Sequence, residues 1–184
     1  MALQQALAAL LLSGPSHGYQ LMATLHAELG PLWETRASRV YLTLARMERE
    51  GLVTSTRIRQ GARPDRHMLR LTQRGRSLAE QWLEGQGPAD ETVVRLAVAR
   101  LVIPHRFEEV AAATASQRAA SLQRLRELRR RASEGFQPEA LDAEIARAQS
   151  DLRWLALVRE RHLDIVARPA AHRRSGSASS ERAG

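Results

Sequence analysis

Residues 38–53 read SRVYLTLARMEREGLV, and the reading of this stretch decides the fold. At about 100° per residue, Val40, Leu44 and Met47 fall within about 60° of one another and make one apolar side of a helix. The opposite side collects Ser38, Arg39, Leu42, Ala45, Arg46 and Arg49, with Tyr41 and Thr43 towards the flanks. Two readings of the arginines stand at this point. They are a solvated face with Arg46 paired to Glu50 one turn on, or they are a face offered to a polyanion. The exposed Leu42 among them sits badly with plain solvation.

The flanking sequence bears on the choice. Upstream, residues 2–12 (ALQQALAALLL) are apolar on nearly every face and predict a helix buried on most sides. SGPSHG then stops and restarts the chain, with Ser16 as the expected N-cap of a second helix, GYQLMATLHAEL, which ends at Gly30-Pro31. Thr35 or Ser38 is the expected cap of the third helix, which stops at Gly51. Three short helices in this space are helix-turn-helix anatomy. Downstream, LVTSTRIRQ and HMLRLT flank the turn cluster QGARPD and predict a β-hairpin over 52–72, with His67, Leu69 and Leu71 on one face. Thr72 is the expected N-cap of a further helix, QRGRSLAEQWLE.

The glycines and proline of GQGP, residues 85–88, predict a domain boundary. Beyond it, 92–102 predict a short apolar helix, 105–132 a long polar helix, and 138–167 another long helix. In the last, Leu141, Ile145, Ala148, Leu152 and Leu155 recur at spacings of four and three, a heptad-like seam widened by Leu157, Val158, His162 and Ile165. The expected organisation is therefore mainly α. A winged helix-turn-helix domain over 1–84 is followed by a helical dimerisation or effector domain over 89–167. Residues 168–184, rich in Ser, Ala, Gly and Arg, are expected to form a disordered tail.

Charge sharpens the reading. The net charge is +8, and residues 36–76 carry eleven arginines against Glu48, Glu50 and Asp65. Residues 1–35 hold two acids and no base, and residues 77–184 hold seventeen arginines against fifteen acids. The chain has no lysine. Codon bias explains arginine in place of lysine but not the clustering, which is the footprint of a polyanion binder. No cysteine is present, so disulfides and thiolate metal sites are excluded, and the six histidines share no metal-ligand spacing. No nucleophile grouping, phosphate loop or dinucleotide fingerprint occurs, so neither an enzyme nor a cofactor is expected. The N-terminus lacks the basic region of a signal peptide, and no apolar run reaches the ~18 residues of a membrane span. A cytoplasmic protein without membrane contact is expected.

Together these features make a winged helix: a helix suited to the DNA major groove, followed by a hairpin that reaches the backbone or minor groove. The chain resembles the PadR family of winged-helix transcriptional regulators. The resemblance covers roughly the first 80 residues, through ALLLSGPSHGYQL, Leu32-Trp33, VYLTLARMEREGLV, GARPDR and LRLTQRGR. It implies that His17, Gly18 and Tyr19 open the second helix, that Val40, Tyr41, Leu44, Met47 and Glu48 frame the recognition helix, and that Arg63, Pro64 and Arg66 lie at the wing tip. The chain departs from the family in having Leu42 where proline is usual and Met68-Leu69 in place of an aromatic pair.

The expected DNA-facing residues are Ser38, Arg39, Tyr41, Leu42, Thr43, Arg46 and Arg49 on the helix, Arg57, Arg63 and Arg66 on the wing, and His17, which either contacts phosphate or caps its turn. The partner is double-stranded operator DNA, read as a palindrome by a homodimer. The expected dimer seam holds Leu141, Ile145, Leu152, Trp154, Leu155 and Val158, with residues 2–12 as a further contributor. The resemblance also implies a small-molecule effector, for which Trp82 and Trp154 are candidate contacts, and repression as the default activity. The competing reading is a winged-helix module that binds a protein; the cost of burying so many arginines weighs against it.

Overall fold

The computed structural model describes residues 2–30, 35–60, 63–85 and 88–167. The Leu32-Trp33 motif and the tail 168–184 lie outside the described residues. The chain forms two compact units, residues 1–114 and 115–184, with the division falling inside a helix.

The first unit is built on α1 (Ala2–Leu10), followed by a 3₁₀ turn at Leu11–Ser13. Ala6, Leu7, Ala8 and Ala9 of α1 are fully buried. The helix packs against α3 (Ala37–Arg49), α4 (Gln73–Leu83) and α5 (Thr92–Val102). A helix apolar on most of its sides needs cover there, and its own chain supplies it, leaving Gln4 and Gln5 half-buried. No apolar face of α1 is left over for a dimer contact. The same packing explains why GQGP, the expected boundary, joins two helices of one unit: α5 closes the side of α1 that the other helices leave open.

β1 (Ser16–His17) leads into α2 (Gly18–Leu29). The N-cap of α2 is His17, not Ser16; the Gln20 side chain turns back to the His17 backbone amide, as in a capping box. Arg36 occupies the N-cap of α3 without a side-chain bond, so neither Thr35 nor Ser38 serves there. At its other end α3 closes with a Schellman motif. Leu52 N–H donates to Met47 O at 2.8 Å and Gly51 N–H to Glu48 O at 3.0 Å, with Gly51 at φ 68°. That turn delivers Leu52 and Val53 into the core at the start of β2 (Val53–Gln60), which pairs antiparallel with β3 (Arg63–Leu71).

The sheet has three strands in the order β1-β3-β2, with β1 pairing Ser16 to Leu69 and His17 to Met68. A two-residue strand is too short for alternation to reveal it in the sequence. In the hairpin, Val53, Ser55 and Arg57 stand opposite Leu71, Leu69 and His67, so these six share one face. Val53 and Leu69, diagonal neighbours on that face, are buried. A register shift between Ile58 and Gln60 marks a bulge near the tip.

Thr72 caps α4 as the sequence predicts: its Oγ1 accepts from Gly75 N–H at 3.1 Å and donates to Gly51 O at 2.7 Å. The Thr72→Ala variant is expected to lose about 1–2 kcal/mol of stability, read from a urea titration. Farther along α4, Trp82 is 2% exposed, and its indole donates to Glu91 Oε2 at 2.8 Å. Trp82→Phe keeps most of the buried volume and removes this donor, so a loss of about 1–3 kcal/mol is expected. An unchanged unfolding midpoint would show that the bond contributes nothing.

The second unit holds the remainder of α6 (Phe107–Arg131) and α7 (Gln137–Ala167). Ion pairs Arg118–Asp151 at 2.5 Å and Arg129–Asp142 at 2.8 Å connect the helices and set an antiparallel register. Leu122, Ala148 and Leu155 are buried. Among the described residues no helix is long and apolar enough to cross a membrane.

Candidate nucleic-acid interface

α3 divides as its spacing predicts. Val40, Leu44 and Met47 are buried, while Ser38, Arg39, Tyr41, Leu42, Arg46 and Arg49 are exposed. Leu42 is 71% exposed, more than Tyr41 beside it at 51%. A large aliphatic side chain kept in water has a use if it meets thymine methyl groups.

The exposed residues are not equivalent. Arg46 is turned towards α1, with Nε 3.6 Å from Glu50 Oε1 and an Nη2 hydrogen bond to Gln4 Oε1. The local pairing read as the plain alternative in the sequence is therefore present. Thr43 donates its hydroxyl to Arg39 O at 2.8 Å, one turn back in its own helix, so that proton is already used. Arg39 and Arg49 make no side-chain hydrogen bond or ion pair among the described residues, and their guanidinium groups stand in solvent.

His17 is half-buried, and its Nδ1 lies 3.0 Å from His67 O. The ring ties the start of α2 to β3, which makes it a brace between two elements. His67 in turn meets Ser55 Oγ through Nδ1 at 2.9 Å, across the hairpin. Of the wing arginines, Arg57 is exposed on the face shared with Ser55, and Arg70 is exposed on the other face opposite Thr54. The backbones of Arg63 and Arg66 stand in β3, and their side chains lie outside the described residues.

A cavity of about 620 Å³ opens between the start of α2, one flank of α3 and the inner face of the hairpin. Gly18 allows this approach: a Cβ there would lie 3.0 Å from both Leu44 Cδ1 and Tyr41 Cε1. Tyr19, Tyr41 and Glu48 contribute to its walls. The sequence placed Glu48 only in the helix frame. Its separation of two turns from Tyr41 is the signal that both stand on one flank.

A second cavity, of about 430 Å³, lies between α4 and the α5–α6 junction, with Arg76, Glu80, Glu84 and Arg106 at its polar margin. Arg106 bonds both carboxylate oxygens of Glu109, at 2.9 and 3.1 Å. That hydrogen bonding, and then the positive charge, holds the Glu109 carboxyl below its ordinary range. Trp82 belongs to the core and lines neither cavity, while Trp154 is half-buried on α7. Of the expected dimer seam, Leu155 is buried, and Leu141, Ile145, Leu152, Trp154 and Val158 are half-buried. Among the described residues no group of three His, Asp or Glu side chains could hold a metal ion.

Three helices, a tight link from the third into a two-stranded hairpin, and an exposed arginine face on that third helix define a winged helix-turn-helix domain. Residues 7–81 match the model of the Transcriptional regulator PadR-like family. Among its relatives, the Negative transcriptional regulator PadR of Bacillus subtilis (strain 168) is 32% identical over 91 residues, 50% of each chain. The Probable transcriptional regulator Rv1176c of Mycobacterium tuberculosis is 30% identical over 83 residues, 45% of this chain and 44% of that one. The matches span about half the length of each relative. The crystal structure of Bacillus subtilis PadR in complex with operator DNA superposes with a TM-score of 0.44 at 21% identity, over 88% of this chain and 99% of that one.

Proposed function

We propose that the protein is a sequence-specific DNA-binding transcriptional regulator, acting in the cytoplasm as a homodimeric repressor on a palindromic operator and released by a small molecule. The observation that carries this reading is the exposed face of α3, where Leu42, Arg39 and Arg49 stand unengaged beside an arginine-bearing hairpin. Arginine reads guanine and neutralises phosphate, and an aliphatic side chain reads the thymine methyl group. Repression is supported by the name of the Bacillus subtilis relative.

The dimer is proposed on the helices of the second unit. Leu157 and Leu163 of α7 are more than half exposed, and five of the six seam residues are half-buried in the single chain. A second copy would cover them and set two half-sites about 34 Å apart. Light scattering after gel filtration should give twice the 20.5 kDa chain mass; a monomer at micromolar concentration would overturn the dimer. DNA binding is tested by electrophoretic mobility shift on the gene's own promoter region, with affinity falling steeply as salt rises. A flat salt response, or no shift, would favour the protein-binding alternative.

A further inference from the structure

We propose that the cavity beside α3 binds an organic ammonium cation with a small aromatic or aliphatic body, and that its occupancy loosens the grip on DNA. The volume, about 620 Å³, lies in the range of small-molecule sites. Its chemistry is selective. Residues 36–76 carry eleven arginines, yet none lines this cavity among the described residues. Among the described residues its walls carry one carboxylate, that of Glu48, which makes no ion pair there. Two aromatic rings, Tyr19 at 67% and Tyr41 at 51% exposure, stand at the walls, and Leu44 and Leu69 supply apolar surface behind them.

A carboxylate with two tyrosine faces favours a cation through charge and through the ring quadrupole, while leucine surface takes an apolar body. The same carboxylate repels phosphate, so the cavity is a poor track for the DNA backbone that its surroundings are suited to hold. Its position supplies the consequence. The walls come from α3 and the hairpin, whose relative placement fixes the proposed DNA face, and a body lodged between them competes with closure on DNA. This second step rests on the DNA-binding reading.

The test has two arms. In the first, without DNA, the protein labelled with ¹⁵N is titrated with phenethylammonium, phenethyl alcohol and phenylacetate. Saturable amide shifts around Glu48 and His67 are expected with the ammonium, weaker ones with the alcohol and none with phenylacetate. Glu48→Gln should raise the dissociation constant about fivefold. Ala45→Trp, on the exposed side of α3, should fill the mouth and abolish the shifts, and it serves if Glu48→Gln fails to fold. No saturable shift, or equal response to phenylacetate, overturns the site. In the second arm, saturating phenethylammonium should weaken promoter binding severalfold at constant ionic strength. Undiminished promoter binding by a protein that still shows the shifts overturns the release step. Failure of the protein to bind DNA at all would show in the second arm and leave the first unaffected.

Discussion

Gly75→Ala should unfold or nearly unfold the first unit at temperatures where the wild type is intact. A Cβ added at residue 75 would lie 2.0 Å from Leu52 O and 3.0 Å from Leu71 Cδ2. The carbonyl cannot step aside, since it accepts from Thr72 N–H at 3.0 Å. Relief would require α4 to retreat by more than about 1 Å, which breaks the cap and uncovers Leu52 and Trp82. We expect a loss of about 3 kcal/mol or more and a fall in Tm of about 6–12 °C, by circular dichroism. A Tm within about 2 °C of wild type would mean that α4 does not approach β2 this closely.

The largest expected effect on binding comes from Arg39→Ala combined with Arg49→Ala. Both guanidinium groups are exposed and make no hydrogen bond or ion pair among the described residues, so DNA need not compete with a partner for them. Loss of two phosphate or base contacts per protomer should weaken operator binding by about 100-fold and make the salt slope shallower by about 2 per protomer. Arg46→Ala should be milder, at most about threefold, because Glu50 and Gln4 already hold that side chain. Mobility shift over a salt series measures all three variants. A dominant Arg46 with silent Arg39 and Arg49 would show that the DNA face is rotated towards α1.

Much of this architecture was legible in residue order. The periodicity of Val40, Leu44 and Met47, the turn cluster between two β-rich runs, and the threonine before QRGRSLAEQWLE each depend on neighbours a few residues away. Such local signals survive in one dimension. The positions of α1 and α5 were less legible. The uniform apolarity of α1 says that it is covered but not by what, and the glycines at 85–88 mark a turn whether or not a domain ends there.

The candidate site was legible as a set of residues and not as an arrangement. Helical spacing identified the exposed side of α3, but Arg39, Thr43, Arg46 and Arg49 looked alike. Their difference comes from Gln4, Glu50 and a carbonyl one turn back, the first of them 42 residues away. His17 carried two readings because its partner, His67 O, lies 50 residues off and arrives only through the pairing of β1 with β3. Trp82 was open to two readings, ligand contact or plain core, and its indole bonds Glu91 among buried residues.

The sequence by itself determined a winged helix-turn-helix, its apolar side and the concentration of arginine on 36–76, because local propensity and periodicity encode them. Only the tertiary structure decided which arginines are engaged, that Glu48 faces a cavity with two tyrosines, and that α5 belongs to the first unit. Those outcomes depend on groups far apart in the chain meeting within hydrogen-bonding or van der Waals distance, and one-dimensional spacing carries no record of that.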